Sequence, residues 1–361
     1  MVDNSSSARV SLKNVVKKFG DLIVIKNIDL DIAPGSLTTI LGPSGCGKTT
    51  ILRLIAGLEL PTSGQILIGE EDVSVLSASR RDVAMVFQSY ALFPHMNVGE
   101  NVGYGLKIQG VGTAERTERV ETALGAVGLT GLSSRFIDQL SGGQQQRVAV
   151  ARALILEPKV MLFDEPLSNL DTKLRRHMRD DIRRLQQETG ITSVYVTHDQ
   201  SEALSVSDQV VVMNEGTIAQ TGTPKALYQK PNSTFVATFM GDANIIEGHV
   251  VDDDGQAVLN VGSETIRLHR ATGEAGLGPA QAAVRPEAIT LHPADGPHKG
   301  EMLKGRVTSL AYVGSANEYT VDWNGQELFC VVPVVLPTVE VGADAFISID
   351  PMGISPIHEE P

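Results

Sequence analysis

The sequence predicts two domains of different fold class: an α/β domain built on a parallel sheet over residues 1–240, and a small all-β domain over residues 241–361. Two observations predict the first domain: a glycine-rich segment between a buried strand and a helix, and a second buried strand that ends in two acidic residues. A third predicts the second domain, because around residues 235–244 the pattern changes to short alternating strands. At 361 residues the chain is long enough for both.

The glycine-rich segment is a phosphate-binding loop. Residues 37–41 are apolar and β-branched, as in a buried strand, and residues 49–56 have helical apolar spacing that ends at Gly57, a helix-ending glycine. Between them, residues 42–49 read Gly-Pro-Ser-Gly-Cys-Gly-Lys-Thr. A Gly-x-x-x-x-Gly-Lys-Thr segment between a strand and a helix predicts the P-loop nucleoside triphosphatase fold.

Each residue type in this loop suits a phosphate ligand. The glycines let backbone N–H groups approach the anion, and the positive end of the helix dipole favours negative charge there. We expect Lys48 to reach the β- and γ-phosphates and the Thr49 hydroxyl to be a Mg²⁺ ligand. The predicted nucleotide contacts of the loop are Gly42, Pro43, Ser44, Gly45, Cys46, Gly47, Lys48, Thr49 and Thr50.

The second buried strand, residues 160–163, delivers Asp164 and Glu165 at its carboxyl end. Ligands of open parallel sheets bind at such ends, so both acids are predicted to face the phosphates. We expect Asp164 to hold Mg²⁺ and Glu165 to polarise the water that attacks the γ-phosphate.

Residues 140–147, Leu-Ser-Gly-Gly-Gln-Gln-Gln-Arg, add a family resemblance. With this segment in place, residues 1–240 resemble the ATP-binding subunits of ABC transporters. The resemblance implies that Phe19 stacks on adenine, that Gln88 senses and binds the metal, and that His198 fixes the attacking water with Glu165. It also implies that residues 168–171, ending at Asp171, cross a dimer interface.

The resemblance further implies a split site. Two nucleotide-binding domains would close head to tail, with each ATP between the phosphate loop of one chain and residues 141–144 of the other. The contacts expected from this segment are Ser141, Gly142, Gly143 and Gln144. A hydroxyl and bare backbone N–H groups at the start of a helix, predicted to begin at Gln144, suit recognition of a γ-phosphate.

The region after Gln88 is expected to contact a membrane partner. Residues 91–98 are apolar and interrupted by Pro94, and a helical subdomain is predicted over about residues 89–150, with residues 117–127 its clearest helix. In the family, this region docks on a membrane permease. No apolar run approaches the roughly 20 residues of a membrane span and no signal peptide opens the chain. We therefore expect a peripheral protein on the cytoplasmic face of the inner membrane.

Charge and cysteine content bound the partners. The net charge is −13; residues 241–361 contain 6 Lys and Arg against 18 Asp and Glu, whereas residues 1–240 contain 24 against 25. The absence of a clustered basic tract argues against a nucleic-acid partner. The two cysteines, Cys46 and Cys330, lie in different domains, and Cys46 is expected to be reachable by thiol reagents when nucleotide is absent.

The second domain is predicted to be a small barrel. Asn324-Gly325 between two alternating runs is a strong hairpin signal, and Glu-Gly-His-Val at 247–250 and Lys-Gly-Arg-Val at 304–307 suggest one strand start used twice. The domain resembles the oligonucleotide-fold-like (TOBE-type) regulatory modules of importer ATPases.

Several segments narrow the resemblance to the ferric-iron import ATPases: residues 85–106, 195–202, 239–244, 284–291 and 321–327. These imply an ATP-hydrolysing homodimer that energises a permease fed by a substrate-binding protein. Importers of polyamines, sulfate or phosphonates share most of these motifs and remain alternatives. A soluble ABC ATPase acting on ribosomes or nucleic acid is a further alternative, although such proteins normally carry two fused ATPase domains and this chain has a single phosphate loop.

Overall fold

The computed structural model describes residues 7–271, 276–294 and 302–357. Their contacts divide the chain into two compact units, Met1–Pro224 and Lys225–Pro361. Residues 225–240, which the sequence analysis groups with the first domain, fall in the second unit because Ala237 packs there with Ala243 and Ala283. Among the described residues, no helix combines the length and the apolar character needed to cross a membrane.

The first unit is an α/β fold. Its strands are β1 (Val10–Phe19), β2 (Leu22–Ile32), β3 (Leu37–Leu41), β4 (Ser63–Ile68), β5 (Glu71–Asp72), β6 (Val83–Val86), β7 (Val160–Asp164), β8 (Thr192–Thr197), β9 (Gln209–Asn214) and β10 (Thr217–Gly222). Its helices are α1 (Lys48–Ala56), α2 (Val98–Ile108), α3 (Thr113–Ala126), α4 (Gly142–Leu154), α5 (Thr172–Thr189) and α6 (Gln200–Val206).

A six-stranded sheet in the order β10-β9-β3-β8-β7-β6 positions the functional residues. The strands from β9 to β6 run parallel, and β10 is antiparallel to β9. Every residue of β3 and β8 is buried, which explains their continuous apolar and β-branched sequences. The carboxyl ends of β3, β7 and β8 therefore meet at one edge of the sheet, as predicted from the sequence.

A second sheet of the first unit, in the order β2-β1-β4-β5, is antiparallel. Its inward residues form a core with α1 and the parallel sheet, in which Val10, Leu12, Ile51 and Leu54 are at most 2 % exposed. This packing holds α1 directly behind the phosphate loop. The helix ends at Gly57, whose φ of 73° is the left-handed conformation predicted for its cap.

Helices α2, α3 and α4 form the predicted helical part of the unit. α3 begins at Thr113, earlier than the predicted start at residue 117, and ends at Ala126. The prediction that the signature helix begins at Gln144 is wrong: α4 begins at Gly142 because the Ser141 side chain caps it and accepts from the N–H of Gln144.

The second unit begins with α7 (Pro224–Gln229) and α8 (Thr234–Phe239) and is otherwise built of strands. They are β11 (Asn244–Asp253), β12 (Gln256–Val261), β13 (Glu264–Ala271), β14 (Gly278–Val284), β15 (Ile289–Pro293), β16 (Leu303–Tyr312), β17 (Ala316–Trp323), β18 (Gln326–Pro333), β19 (Asp344–Ile349) and β20 (Ile354–Ile357). Two five-stranded antiparallel sheets, β13-β12-β11-β14-β20 and β15-β19-β16-β17-β18, share one apolar core.

The predicted hairpin and the repeated strand start are both present. Asn324 and Gly325 connect β17 and β18 with φ of 54° and 84°, the two positive values of a tight hairpin turn. A Cβ on Gly248 in β11 would lie 2.6 Å from the carbonyl oxygen of Asn260, and one on Gly305 in β16 would lie 2.9 Å from that of Asp322. The two glycines therefore serve the same purpose in the two sheets, which is to admit the backbone of the adjacent strand.

Candidate nucleotide site

The phosphate loop joins β3 to α1, and Lys48 lies across it. The side chain of Lys48 is 6 % exposed, and its Nζ donates to the carbonyl oxygens of Gly42 at 2.8 Å and Pro43 at 2.9 Å. Gly47 has a φ of 107°, and a Cβ there would lie 2.6 Å from Cδ1 of Ile25. The loop is thus a tight turn that keeps its cation beside the backbone and admits no side chain at Gly47.

Cys46 points into the protein rather than towards solvent. It is 5 % exposed, and its Sγ lies within 4.0 Å of Nζ of Lys48. Burial raises the pKa of the Cys46 thiol, against the opposing charge of Lys48. The expectation that thiol reagents reach this residue is therefore wrong, because the loop buries the sulfur beneath its own backbone.

Thr49 and Asp164 bring two hard oxygen ligands together. The Thr49 hydroxyl, at the start of α1, donates to Oδ1 of Asp164, at the end of β7, at 3.2 Å. Burial raises the pKa of Asp164; the Thr49 hydrogen bond opposes this, and the neighbouring Glu165 charge adds to it. A buried carboxylate whose ionised form is disfavoured gains most from a cation, so these residues fit the Mg²⁺ site that the sequence predicts.

Glu165 follows β7 in a left-handed backbone conformation, with φ of 43°. Such a conformation is unfavourable for a non-glycine residue and persists only when neighbours hold it. Here the N–H of Glu165 donates to the carbonyl of Val196 at 3.0 Å, and the Ser168 hydroxyl donates to the carbonyl of Glu165 at 3.0 Å. The carboxylate then reaches the next strand, where its Oε2 lies 3.1 Å from Nδ1 of His198.

Gln88 joins the same group of side chains through Ser168. Its Nε2 donates to the Ser168 hydroxyl at 3.1 Å, and the Asn169 side chain donates to the carbonyl of Gln88 at 3.0 Å. Because Nε2 of Gln88 already donates to Ser168, the amide oxygen Oε1 is the atom available to bind a cation. Asp171 caps α5 by accepting from the N–H of Leu174 at 3.0 Å.

Residues 141–144 form the cap and the first turn of α4, and they lie against the start of α5. The Ser141 hydroxyl accepts from the Gln144 N–H at 3.4 Å, and Oε1 of Gln144 accepts from the Ser141 N–H at 3.0 Å. A Cβ on Gly143 would lie 2.8 Å from Cδ1 of Leu174. The first-turn N–H groups of Gly142 and Gly143 have no acceptor within their helix, so they form a site for an anion together with the helix dipole.

Phe19 lies at the end of β1 and is 45 % exposed. It is therefore not a core aromatic. The ammonium of Lys17 lies 4.5 Å from the centroid of its ring. An exposed ring beside a cation is able to stack on a base, which is the predicted role.

Two features of the site were not predicted from sequence. Ser168 was quoted only as part of a motif, yet its hydroxyl joins Gln88 to Glu165. Glu202, four residues after His198, is buried and accepts from both Tyr195 and Thr197. A serine in a polar loop carries no sequence signal of such a role. For the glutamate, the only available signal is an acidic residue on an otherwise apolar helix face.

Comparisons with known proteins agree with this geometry. The ABC transporter family matches residues 25–168 and the TOBE domain matches residues 282–355. The chain is similar to the "Fe(3+) ions import ATP-binding protein FbpC" of Escherichia coli K12, with 54% identity over 96% of each chain. The proteins of the same name in Brucella abortus 2308 and, as FbpC 1, in Rhizobium meliloti 1021 are 51% and 53% identical, each over 97% of this chain and 98% of theirs.

A solved structure also resembles the chain. It is the dimeric structure of a post-hydrolysis state of the ATP-binding cassette MJ0796 bound to ADP and Pi. The two share 34% identity with a TM-score of 0.53, over 60% of this chain and 98% of that one.

Proposed function

Because this chain belongs to the ABC transporter family, we propose that it is the ATP-hydrolysing subunit of a membrane importer of ferric iron. One observation carries the substrate: relatives named as Fe(3+) import ATP-binding proteins are 51–54% identical over nearly the whole chain, including the second unit. The mechanism is supported by the geometry at the edge of the parallel sheet.

In the proposed site, ATP binds with its β- and γ-phosphates on the loop between β3 and α1. Lys48 supplies the positive charge, and the backbone of residues 42–49 supplies N–H donors at the start of α1. Phe19 supplies a flat exposed face for the adenine. None of these contacts reads the edge of the base, so we expect the charge-assisted contacts to the triphosphate to contribute most of the binding free energy.

Mg²⁺, held by Thr49 and Asp164 with Gln88 as a third oxygen donor, would neutralise charge on the β- and γ-phosphates. The residues of the chain perform the remaining steps. Glu165 accepts a proton from the attacking water as the bond from the water oxygen to the γ-phosphorus forms and the bond from that phosphorus to the β,γ-bridging oxygen breaks, which leaves ADP and inorganic phosphate. His198 holds Oε2 of Glu165 in place. The left-handed backbone of Glu165, held by Ser168 and Val196, aims the carboxylate out of the sheet edge.

The proposed active form is a homodimer. Within one unit, the phosphate loop contacts Asp164 through Thr49, whereas the signature segment, residues 141–144, lies against Leu174, and MJ0796 provides a dimeric relative bound to ADP and Pi. We infer that Ser141, Gly142 and Gly143 of one chain donate to the γ-phosphate on the other. ATP then stabilises the closed dimer, and hydrolysis removes the group that bridges the two chains.

The membrane permease is proposed to dock beside α2. A groove of about 430 Å³ is lined by Met96, Tyr104, Val120 and Arg116, among others. The segment that leads from Gln88 to this groove is held by Asn101, whose amide contacts the backbone of Phe93 and Met96. We propose that Gln88 communicates with the groove through this segment and that the protein acts at the cytoplasmic face of the inner membrane.

Two measurements test the proposal. Purified protein should hydrolyse ATP in a Mg²⁺-dependent reaction, and a Glu165→Gln variant should not. Cells lacking the gene should lose uptake of radiolabelled ferric iron and keep uptake of radiolabelled putrescine. Loss of putrescine uptake instead would retain the mechanism and reject iron as the cargo, whereas recovery of ribosomes or DNA with the tagged protein, in place of a permease, would reject transport.

A further inference from the structure

Arg175, in the first turn of α5, contacts the end of the loop formed by residues 168–171. Its Nη2 donates to the carbonyl oxygen of Leu170 at 3.0 Å. The same loop contains Ser168, which holds the carbonyl of Glu165, and Asp171, which caps α5. The position of the Arg175 guanidinium is therefore linked to the position of this loop.

The other side of the guanidinium faces the start of α6. Nη1 of Arg175 lies 3.6 Å from Oδ2 of Asp199, and Nε lies 3.9 Å from Oε1 of Glu202. The Glu202 side chain is 5 % exposed, so its charge is nearly removed from water. A buried carboxylate needs a cation or hydrogen-bond donors, and Arg175 provides the cation.

Asp199 and Glu202 in turn hold the residues on both sides of His198. Oε2 of Glu202 accepts from the Thr197 hydroxyl at 2.8 Å and from the Tyr195 hydroxyl at 2.9 Å. Oδ1 of Asp199 caps α6 by accepting from the N–H of Ser201 at 2.8 Å, and the N–H of Asp199 donates to the Thr197 hydroxyl at 3.0 Å. The backbone that carries His198 is thus held between two carboxylates that share one arginine.

We propose that Arg175 is a positioning residue that sets the position of His198 according to the position of loop 168–171. The inference rests on the proposed function, in which His198 holds Glu165 during hydrolysis, and on the expectation from the family resemblance that this loop crosses to the second chain. When the loop moves as the dimer closes, Arg175 transmits the shift through Asp199 and Glu202 to the backbone at His198. Closure and correct alignment of the histidine would then occur together.

Arg179 offers a matched control. It lies one turn further along α5, faces the same helix α6, and contacts it through the carbonyl of Ser201 at 3.5 Å. Arg179 contacts Ser201 and Asp180, whereas it is the Arg175 guanidinium that reaches the Leu170 carbonyl and Asp199. If Arg175 only packs α5 against α6, Arg179→Met and Arg175→Met should have similar effects.

The first experiment measures kcat, KM for ATP and melting temperature for Arg175→Met, Arg175→Lys and Arg179→Met. Arg175→Met should lower kcat on the order of 10- to 100-fold with little change in KM, as misplacement of a catalytic group by about 1 Å does. Arg175→Lys keeps the charge and should recover part of kcat. Arg179→Met should keep kcat near that of the unaltered chain. Equal losses for the two methionine variants, or a rise in KM alone, would overturn the proposal.

A double-mutant cycle with His198→Ala separates positioning from packing. If Arg175 acts through His198, Arg175→Met should cause no further loss of kcat in the His198→Ala background. Multiplicative losses would show that Arg175 acts independently and would reject the inference. If His198→Ala alone leaves kcat unchanged, the role of the histidine in the proposed function fails as well. Arg175→Lys supplies the same cycle if Arg175→Met does not fold.

Discussion

Nδ1 of His198 lies 3.1 Å from Oε2 of Glu165, so the ends of two neighbouring strands, β7 and β8, are joined by one hydrogen bond between side chains. For a neutral histidine, this hydrogen bond forms only when Nδ1 carries the ring proton, because the ionised carboxylate can only accept. Glu165 thereby keeps its second oxygen for water. In the proposed function, this pair carries out the chemistry at the edge of the parallel sheet.

Glu165→Gln should abolish turnover and retain nucleotide binding. The amide has the shape of the carboxylate and still reaches His198, yet it cannot accept a proton from water. We expect kcat to fall by about 10²- to 10⁴-fold, the usual contribution of a general base. ATP should then hold the chain as a dimer on size-exclusion chromatography.

The matched control for this prediction is Glu157→Gln. Glu157 also has a left-handed backbone, with φ of 53°, but its side chain contacts Arg119 on the surface. The Glu157→Gln variant should hydrolyse ATP at the rate of the unaltered chain. Normal turnover by Glu165→Gln would show that another group is the base.

Lys48→Ala should weaken ATP binding by about 10- to 100-fold, because a charge-assisted hydrogen bond contributes about 1.5–3 kcal/mol. The measurement is titration with a fluorescent ATP analogue, alongside the melting temperature of the free protein. Lys159→Ala removes a half-exposed lysine paired with Asp82 and serves as the control. Equal affinity for the two variants would contradict the phosphate-loop assignment.

Ser141→Arg should prevent closure of the dimer without preventing nucleotide binding to the monomer. The substitution also removes the cap of α4, which costs about 1 kcal/mol. Asn97→Ala removes a comparable cap, that of α2, and separates this loss of stability from the loss of closure. In mixed dimers with one unaltered chain, the arginine should block the site formed with the phosphate loop of the unaltered chain, so the effect appears in trans. Loss of ATP binding by the isolated variant would contradict the split site.

Local sequence predicted several elements well, including those that form the candidate nucleotide site. The strand at residues 37–41, the helix ending at Gly57 and the hairpin at Asn324-Gly325 each depend on neighbours along the chain, and each is present. The start of α4 was placed two residues late because two glycines have poor helix propensity, whereas the Ser141 and Gln144 cap outweighs that cost.

Contacts between distant segments were beyond sequence reasoning. Ser168, which joins Gln88 to Glu165, lies 80 residues after Gln88 in the chain, and no periodicity or motif encodes that contact. The burial of Cys46 was missed for a related reason: a glycine-rich loop suggests exposure, whereas this loop folds over its own cysteine and packs Gly47 against Ile25.

Both cysteines should resist alkylation in the native protein at pH 7–8. Burial raises the pKa of Cys46 and raises that of Cys330 to about 12, so little thiolate forms at neutral pH. For a thiol whose pKa is raised by folding, the unfolded state loses its proton first, so the free energy of unfolding should fall as pH rises above about 9. Mass spectrometry after iodoacetamide treatment, with urea-unfolded protein as the positive control, measures the modification. Rapid modification of native Cys46 would show that the loop opens.

Gly305→Ala should destabilise the second unit. The new Cβ would lie 2.6 Å from Cγ1 of Val321 and 2.9 Å from the carbonyl oxygen of Asp322, and backbone at that distance cannot simply rotate away. Overpacking of this kind typically costs about 1–3 kcal/mol. Trp323 is the single tryptophan of the chain and is 1 % exposed in the core of this unit, so its fluorescence during urea unfolding reports the change directly.

Gly112→Ala is the control, since a Cβ there meets nothing within 4 Å. The midpoint for Gly305→Ala should fall and that for Gly112→Ala should stay, because only the first substitution pushes β16 away from β17; equal midpoints would mean that the strands separate at no cost and that the glycine is not needed for their close approach.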